Sequence, residues 1–113
     1  MHRDAIHLED IIKSARMIRE YVSGASRQAF LGNPQLQDSV IRRFEIIGEA
    51  AGRISQRFRD ENPDVPWSEM RGMRNRVIHR YDDIDMDIVW ETVEQDIPRL
   101  IVQLEGLVSE EPS

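Results

Sequence analysis

The sequence predicts an all-α protein, an antiparallel bundle of four main helices whose last helix is kinked. Three observations carry that expectation. Apolar residues recur every three or four positions along most of the chain. Helix-starting and helix-breaking residues punctuate those stretches. At 113 residues and 40% hydrophobic content, the chain suits one domain with a modest core. We expect that domain to span residues 1–108, with 109–113 as a flexible tail.

Asp4 is placed to cap the first helix. Leu8, Ile11, Ile12, Ala15, Ile18 and Val22 make one stripe along it, and Gly24 is a natural stop. A short helical turn is expected around Gln28–Leu31. Asn33-Pro34 is a strong start signal, a capping Asn followed by Pro at the first helical position. The second helix should then run from Pro34 to about Arg59, striped by Val40, Phe44, Ile47, Ala51, Ile54 and Phe58. Ile41, Ile46 and Ala50 widen its apolar surface beyond what one neighbour covers, which suits a core that continues into a subunit interface or, more plainly, a central helix touching several others of its own chain. Gly48 at its centre costs about 1 kcal/mol of helix propensity relative to Ala and suits a close helix approach.

Asp60-Glu-Asn-Pro-Asp-Val-Pro66 reads as a loop because two prolines interrupt it. A third helix begins near Trp67. Tyr81-Asp82-Asp83 breaks it, and Asp85 caps a last helix with Ile88, Val89, Val93, Ile97, Leu100, Ile101 and Leu104 inward. Pro98 inside that pattern lacks a helical donor and should kink the helix. Trp67 and Trp90 read as core.

Composition excludes several classes. There are no cysteines, so disulfides and thiolate metal sites are absent. Three histidines are too few and too scattered for a histidine metal site, and the Asp82–Asp87 run does not match a calcium loop. No metal and no cofactor are expected. No apolar run reaches the ~20 residues that span a bilayer, so a soluble, cytoplasmic protein without membrane contact is expected. With 21 Asp+Glu against 15 Lys+Arg, a formal charge of −6, the chain is no general polyanion binder.

Against that acidic background stands Arg71-Gly-Met-Arg-Asn-Arg-Val-Ile-His-Arg-Tyr81, with Arg71, Arg74, Arg76 and Arg80 and no acid among them. Arg grips phosphate through a bidentate fork and keeps its charge, and His moves protons near neutral pH. On a helical wheel Arg74 falls within the Met70–Met73–Val77–Tyr81 side, where an unpaired Arg is unusual. Asn75 and His79 share another face with Arg71. Arg74 and His79 lie about 140° apart and would converge if the helix ended near Ile78. Arg for phosphoryl oxygens and His for proton transfer are the parts that RNA cleavage by the neighbouring 2′-hydroxyl requires. The plainer alternatives are a buried ion pair of Arg74 with Glu49, a helix-end histidine favoured by the macrodipole, and a core tyrosine.

Arg74-Asn75-Arg76-Val77-Ile78-His79-Arg80-Tyr81 resembles the R-N-x-x-x-H-x-Y signature of HepT-like proteins in the HEPN superfamily of helical ribonucleases. Ile47-Gly-Glu-Ala50, Val65-Pro-Trp67 and Ile97-Pro98 resemble other parts of the family pattern, so the resemblance covers nearly the whole chain. It implies an endoribonuclease toxin of a type VII toxin–antitoxin pair. Such a toxin is a homodimer whose two Arg–His motifs meet in one metal-independent site acting on RNA. It implies catalytic roles for Arg74 and His79, with Asn75, Arg71, Arg76 and Arg80 supporting. It also implies a cognate minimal nucleotidyltransferase antitoxin of the MntA type that silences the toxin by transferring AMP to Tyr81. The alternative is a non-catalytic helical module that docks a minimal nucleotidyltransferase. A docking module alone would not need both Arg74 and His79.

Overall fold

A computed structural model describes residues 2–79 and 85–110, with side chains described for 3–73 and 85–108. The elements are α1 (His2–Tyr21), α2 (Arg27–Leu31), α3 (Pro34–Arg53), α4 (Gln56–Glu61), α5 (Trp67–His79), α6 (Met86–Glu91), a π-helical turn (Thr92–Asp96) and α7 (Ile97–Glu110). No strand occurs among the described residues, and the all-α class holds. Four main helical stretches form the bundle: α1, α3, α5, and α6–α7 with the π turn between them. α3 is central, packing on α5 along one side and on α1 along another, and α1 in turn packs on α7.

The α1 stripe is buried as its spacing requires: Leu8, Ile11, Ile12, Ala15 and Ile18 are almost wholly removed from solvent. Burying each of the larger side chains contributes about 1.5–3 kcal/mol. The helix stops at Tyr21, and Gly24 takes φ +77, a left-handed conformation that favours glycine. α2 is capped by Ser26 and brings Phe30 against Trp90, with ring centroids 5.2 Å apart. At the start of α3 the Asn33 side chain accepts the Leu36 N–H at 3.1 Å, with Pro34 in the first turn.

Two expectations are corrected here. Asp4 does not cap α1, which begins at His2. It is buried in the first turn and accepts two hydrogen bonds from Ser55, from the backbone N–H at 2.8 Å and from the hydroxyl at 2.7 Å. The second helix also does not run unbroken to Arg59. It ends at Arg53, Ile54 turns extended (ψ 137), and Ser55 caps the separate α4 by accepting the Phe58 N–H at 3.1 Å. The physical reason is shared. Apolar spacing continues through Ile54 and Phe58, but the Ser55 hydroxyl and the buried Asp4 carboxylate give the backbone a capped break instead.

The surplus apolar face of α3 is largely covered within one chain. Ile41 and Ala50 are 6% and 5% exposed, and Ile46 is half-buried. Within one chain α3 has neighbours on more than one side, so this surface matches a central helix touching several others. Gly48 lies buried at its centre.

Asp85 caps α6 as expected, its side chain accepting the Asp87 N–H at 2.9 Å. Pro98 is accommodated by the π-helical turn before it, where the Ile97 N–H reaches back five residues to the Thr92 carbonyl. The wider turn relieves the clash of the proline ring with the preceding carbonyls and tolerates the missing donor. The π-helical turn stands where the kink was expected. α7 continues to Glu110, past the expected boundary at 108, and residues 111–113 lie outside the described residues. No helix among the described residues is long and apolar enough to cross a membrane.

Candidate functional site

The arginine-rich helix α5 is anchored at its N-terminus. Val65 and Trp67 are buried, the Trp67 indole N–H donates to the Asn62 carbonyl at 2.9 Å, and its ring meets Phe58 edge-on at 6.1 Å. One turn later Met70 is 1% exposed, and Met73 packs partly against the same core. These contacts fix the rotation of α5 against α3 and α4.

The helix runs unbroken through His79, one residue past the end near Ile78 that would let Arg74 and His79 converge, and the expected break at Tyr81-Asp82-Asp83 lies outside the described residues. Arg74 and His79 are therefore positions of one continuous helix, about 7.5 Å apart along its axis and roughly 140° around it. The side chains of Arg74, Asn75, Arg76 and His79, and all of Arg80 and Tyr81, lie outside the described residues. So does the alternative Arg74–Glu49 ion pair. Glu49 is bonded by Arg53 one turn along α3, at 3.1 Å.

Arg71 is the motif-segment arginine whose side chain is described. It is exposed and lies over α3, where a Cβ added at Gly52 would sit 3.9 Å from its Nε. The described ion pairs draw on other arginines: Arg16 with Glu105, Arg27 with Asp87, Arg42 with Glu45, Arg53 with Glu49 and Arg57 with Glu61. Such exposed pairs contribute at most about 1 kcal/mol each. Arg71 takes part in none of them, so a salt-bridge role among the described residues does not account for it.

Arg71 also lines an open cleft of about 580 Å³ between α4 and the start of α5, shared with Arg59, Asp64, Trp67 and Glu69. Sequence reading missed this cleft. Treating Arg59 as the end of a long second helix concealed it, and the turn-forming Ser55 was the available signal.

The fold and segment together are an all-α bundle with one helix, α5, that carries Arg71, Arg74, Arg76 and His79 and no acid after Glu69. The chain belongs to the ribonuclease HepT-like family, whose model matches residues 11–107 and so includes the whole Arg71–Tyr81 segment. A protein of Thermococcus cleftensis named "Probable ribonuclease HepT" is 40% identical over 106 residues, covering 94% of each chain. One of Methanocaldococcus jannaschii named "Putative RNase MJ1380" is 40% identical over 98 residues, covering 87% of this chain and 90% of that one. A third, "Putative RNase TTE0752" of Caldanaerobacter subterraneus subsp. tengcongensis, is 36% identical over 105 residues, covering 93% of this chain and 94% of its own. No solved structure matches the chain at a significant level.

Proposed function

We propose that this chain is a metal-independent endoribonuclease toxin of a HepT/MntA-type pair, acting on cytoplasmic RNA as a homodimer. The observation that carries the reading is the family match over residues 11–107 together with the intact Arg74-Asn75…His79…Tyr81 signature inside it.

In this reading His79 accepts the proton of a ribose 2′-hydroxyl. The 2′-oxygen bonds to the adjacent phosphorus as the bond from phosphorus to the 5′-oxygen breaks. A protonated imidazole returns a proton to the leaving oxygen, giving a 2′,3′-cyclic phosphate and a 5′-hydroxyl. Arg74 balances the charge that develops on the phosphoryl oxygens. Asn75, Arg71, Arg76 and Arg80 hold the strand nearby. The continuous helix supports a site shared between two copies. With about 140° between them, Arg74 and His79 of one chain do not share a face, and a second copy supplies the missing partner. Control follows the family pattern. A minimal nucleotidyltransferase transfers AMP from ATP to the Tyr81 hydroxyl, with pyrophosphate leaving, and the added anion occupies the positive field meant for RNA. Cleavage of a labelled RNA by wild type, His79→Ala and Arg74→Ala tests the assignment.

A further inference from the structure

We infer that the cleft between α4 and α5 is a base-reading subsite that takes a guanine of single-stranded RNA near the cut. The inference rests on the ribonuclease reading above and adds to it a preference for one base.

The cleft, about 580 Å³, is of the size that holds small organic groups. Several of its polar groups are free among the described residues. The described bond of the Arg59 side chain runs from its Nη2 to Gln56 Oε1 at 3.1 Å, while its Nε is buried without a partner. Gln56 also donates to Asp60 at 2.8 Å, so those two are engaged with each other. The Arg71 guanidinium and the carboxylates of Asp64 and Glu69 have no described bond, although all line the same cleft.

Charge decides what kind of group fits. Arg59 and Arg71 face Asp60, Asp64 and Glu69, a net of 2 − 3 = −1, so a phosphate is disfavoured. From Arg74 to Tyr81 the sign reverses, with Arg74, Arg76 and Arg80 and no acid. Phosphates therefore belong along the later turns of α5, and a neutral group that both accepts and donates belongs in the cleft. A single-stranded nucleobase is such a group, read on its edges and stacked on an aromatic or guanidinium plane. Trp67 is 7% exposed and committed to the core, so stacking falls to an arginine. Guanine matches both charged partners in bidentate fashion. Its O6 and N7 accept from a guanidinium, and its N1–H and N2–H donate to one carboxylate. Arg71 lies eight residues before His79, about 12 Å along the axis. A strand covers that distance in a few nucleotides, at ~3.4 Å or more each.

Fluorescence anisotropy with labelled 2′-O-methyl nonamers tests this without cleavage. The probes are all-uracil and uracil with one central guanine, adenine or cytosine; each can slide to place its odd base in the cleft. The guanine nonamer should bind roughly tenfold more tightly than all-uracil, as one good bidentate pair discriminates. Adenine and cytosine should give no comparable gain. Arg59→Met, which keeps the packed stem, and Glu69→Gln, at an exposed position, should each cut the guanine-to-uracil ratio to under about half its wild-type value. Circular dichroism checks folding, and Glu69→Gln carries the test if Arg59→Met unfolds. Equal binding of all four probes, preference for another base, or a ratio unchanged in the folded variants would overturn the proposal. The same sequences as plain RNA test cleavage separately. Guanine preference without cleavage would sink the ribonuclease reading and leave the base site. Cleavage without base preference would do the reverse.

Discussion

Asp4 and Ser55, 51 residues apart in sequence, are joined by two hydrogen bonds, from the Ser55 N–H at 2.8 Å and its hydroxyl at 2.7 Å. The same hydroxyl oxygen accepts the Phe58 N–H at 3.1 Å. A carboxylate buried in the first turn of α1 thus orients the serine that caps α4, and α4 carries Arg59 to the cleft.

Replacing that carboxylate should therefore be expensive for a residue so near the chain start. Asp4→Ala leaves the Ser55 N–H and hydroxyl without their acceptor, a loss of about 2–4 kcal/mol. The melting temperature should fall by roughly 5–15 °C. Thermal denaturation followed by circular dichroism measures it. A change under about 2 °C, less than a loss of 1 kcal/mol would give, would mean that the pair does not hold the α3–α4 break.

Gly24→Ala should destabilise through the backbone alone. Gly24 has φ +77, and an added Cβ would meet nothing within 4 Å, so no clash contributes. The left-handed conformation costs about 1–2 kcal/mol for a residue with a Cβ. Gly24→Asn should lose less than Gly24→Ala, because Asn tolerates that region. Equal stability of the wild type and both variants in urea titrations would contradict this.

For catalysis, His79→Ala and Arg74→Ala should each lower the rate of RNA cleavage by ~100-fold or more, if each is a positioned catalytic group. Both variants must keep the wild-type circular dichroism spectrum. EDTA should leave the wild-type rate unchanged. Equal rates in all three proteins would remove the assignment, and a rate that needs added metal would remove the mechanism.

Assembly can be tested independently. The chain mass is 13.2 kDa, so light scattering of a homodimer should give 2 × 13.2 = 26.4 kDa. The expectation rests on the proposal that an Arg of one copy pairs with a His of the other. Ile41 and Ala50 are already buried in one chain and give it no support. A stable monomer that cleaves RNA at full rate would exclude a shared site.

Silencing has a covalent readout. Coexpression with the cognate nucleotidyltransferase should add AMP to the peptide containing Tyr81, detected by mass spectrometry. Tyr81→Phe should escape both the modification and the silencing. Full silencing of the phenylalanine variant would point to control by stable docking instead.

Local chemistry alone determined much of this protein. The capping side chains of Asn33 and Asp85, the stop at Gly24 and the buried stripe of α1 were legible because each depends on neighbours within about one helical turn. The Arg74–Tyr81 signature was legible for the same reason, as a string of residue types at fixed spacing. Tertiary structure decided the rest. The break at Ile54–Ser55 depends on Asp4, which arrives from another helix, and periodicity within α3 carries no trace of it. Whether α3's extra apolar face is spare depends on which helices flank it. The π turn before Pro98 is one of several ways of relieving a missing donor, and residue spacing alone does not choose among them. The cleft of Arg59, Asp64, Glu69 and Arg71 joins residues whose shared surroundings exist only once α4 and α5 fold against each other. Sequence spacing reports what one element can present; only packing brings two elements to the same space.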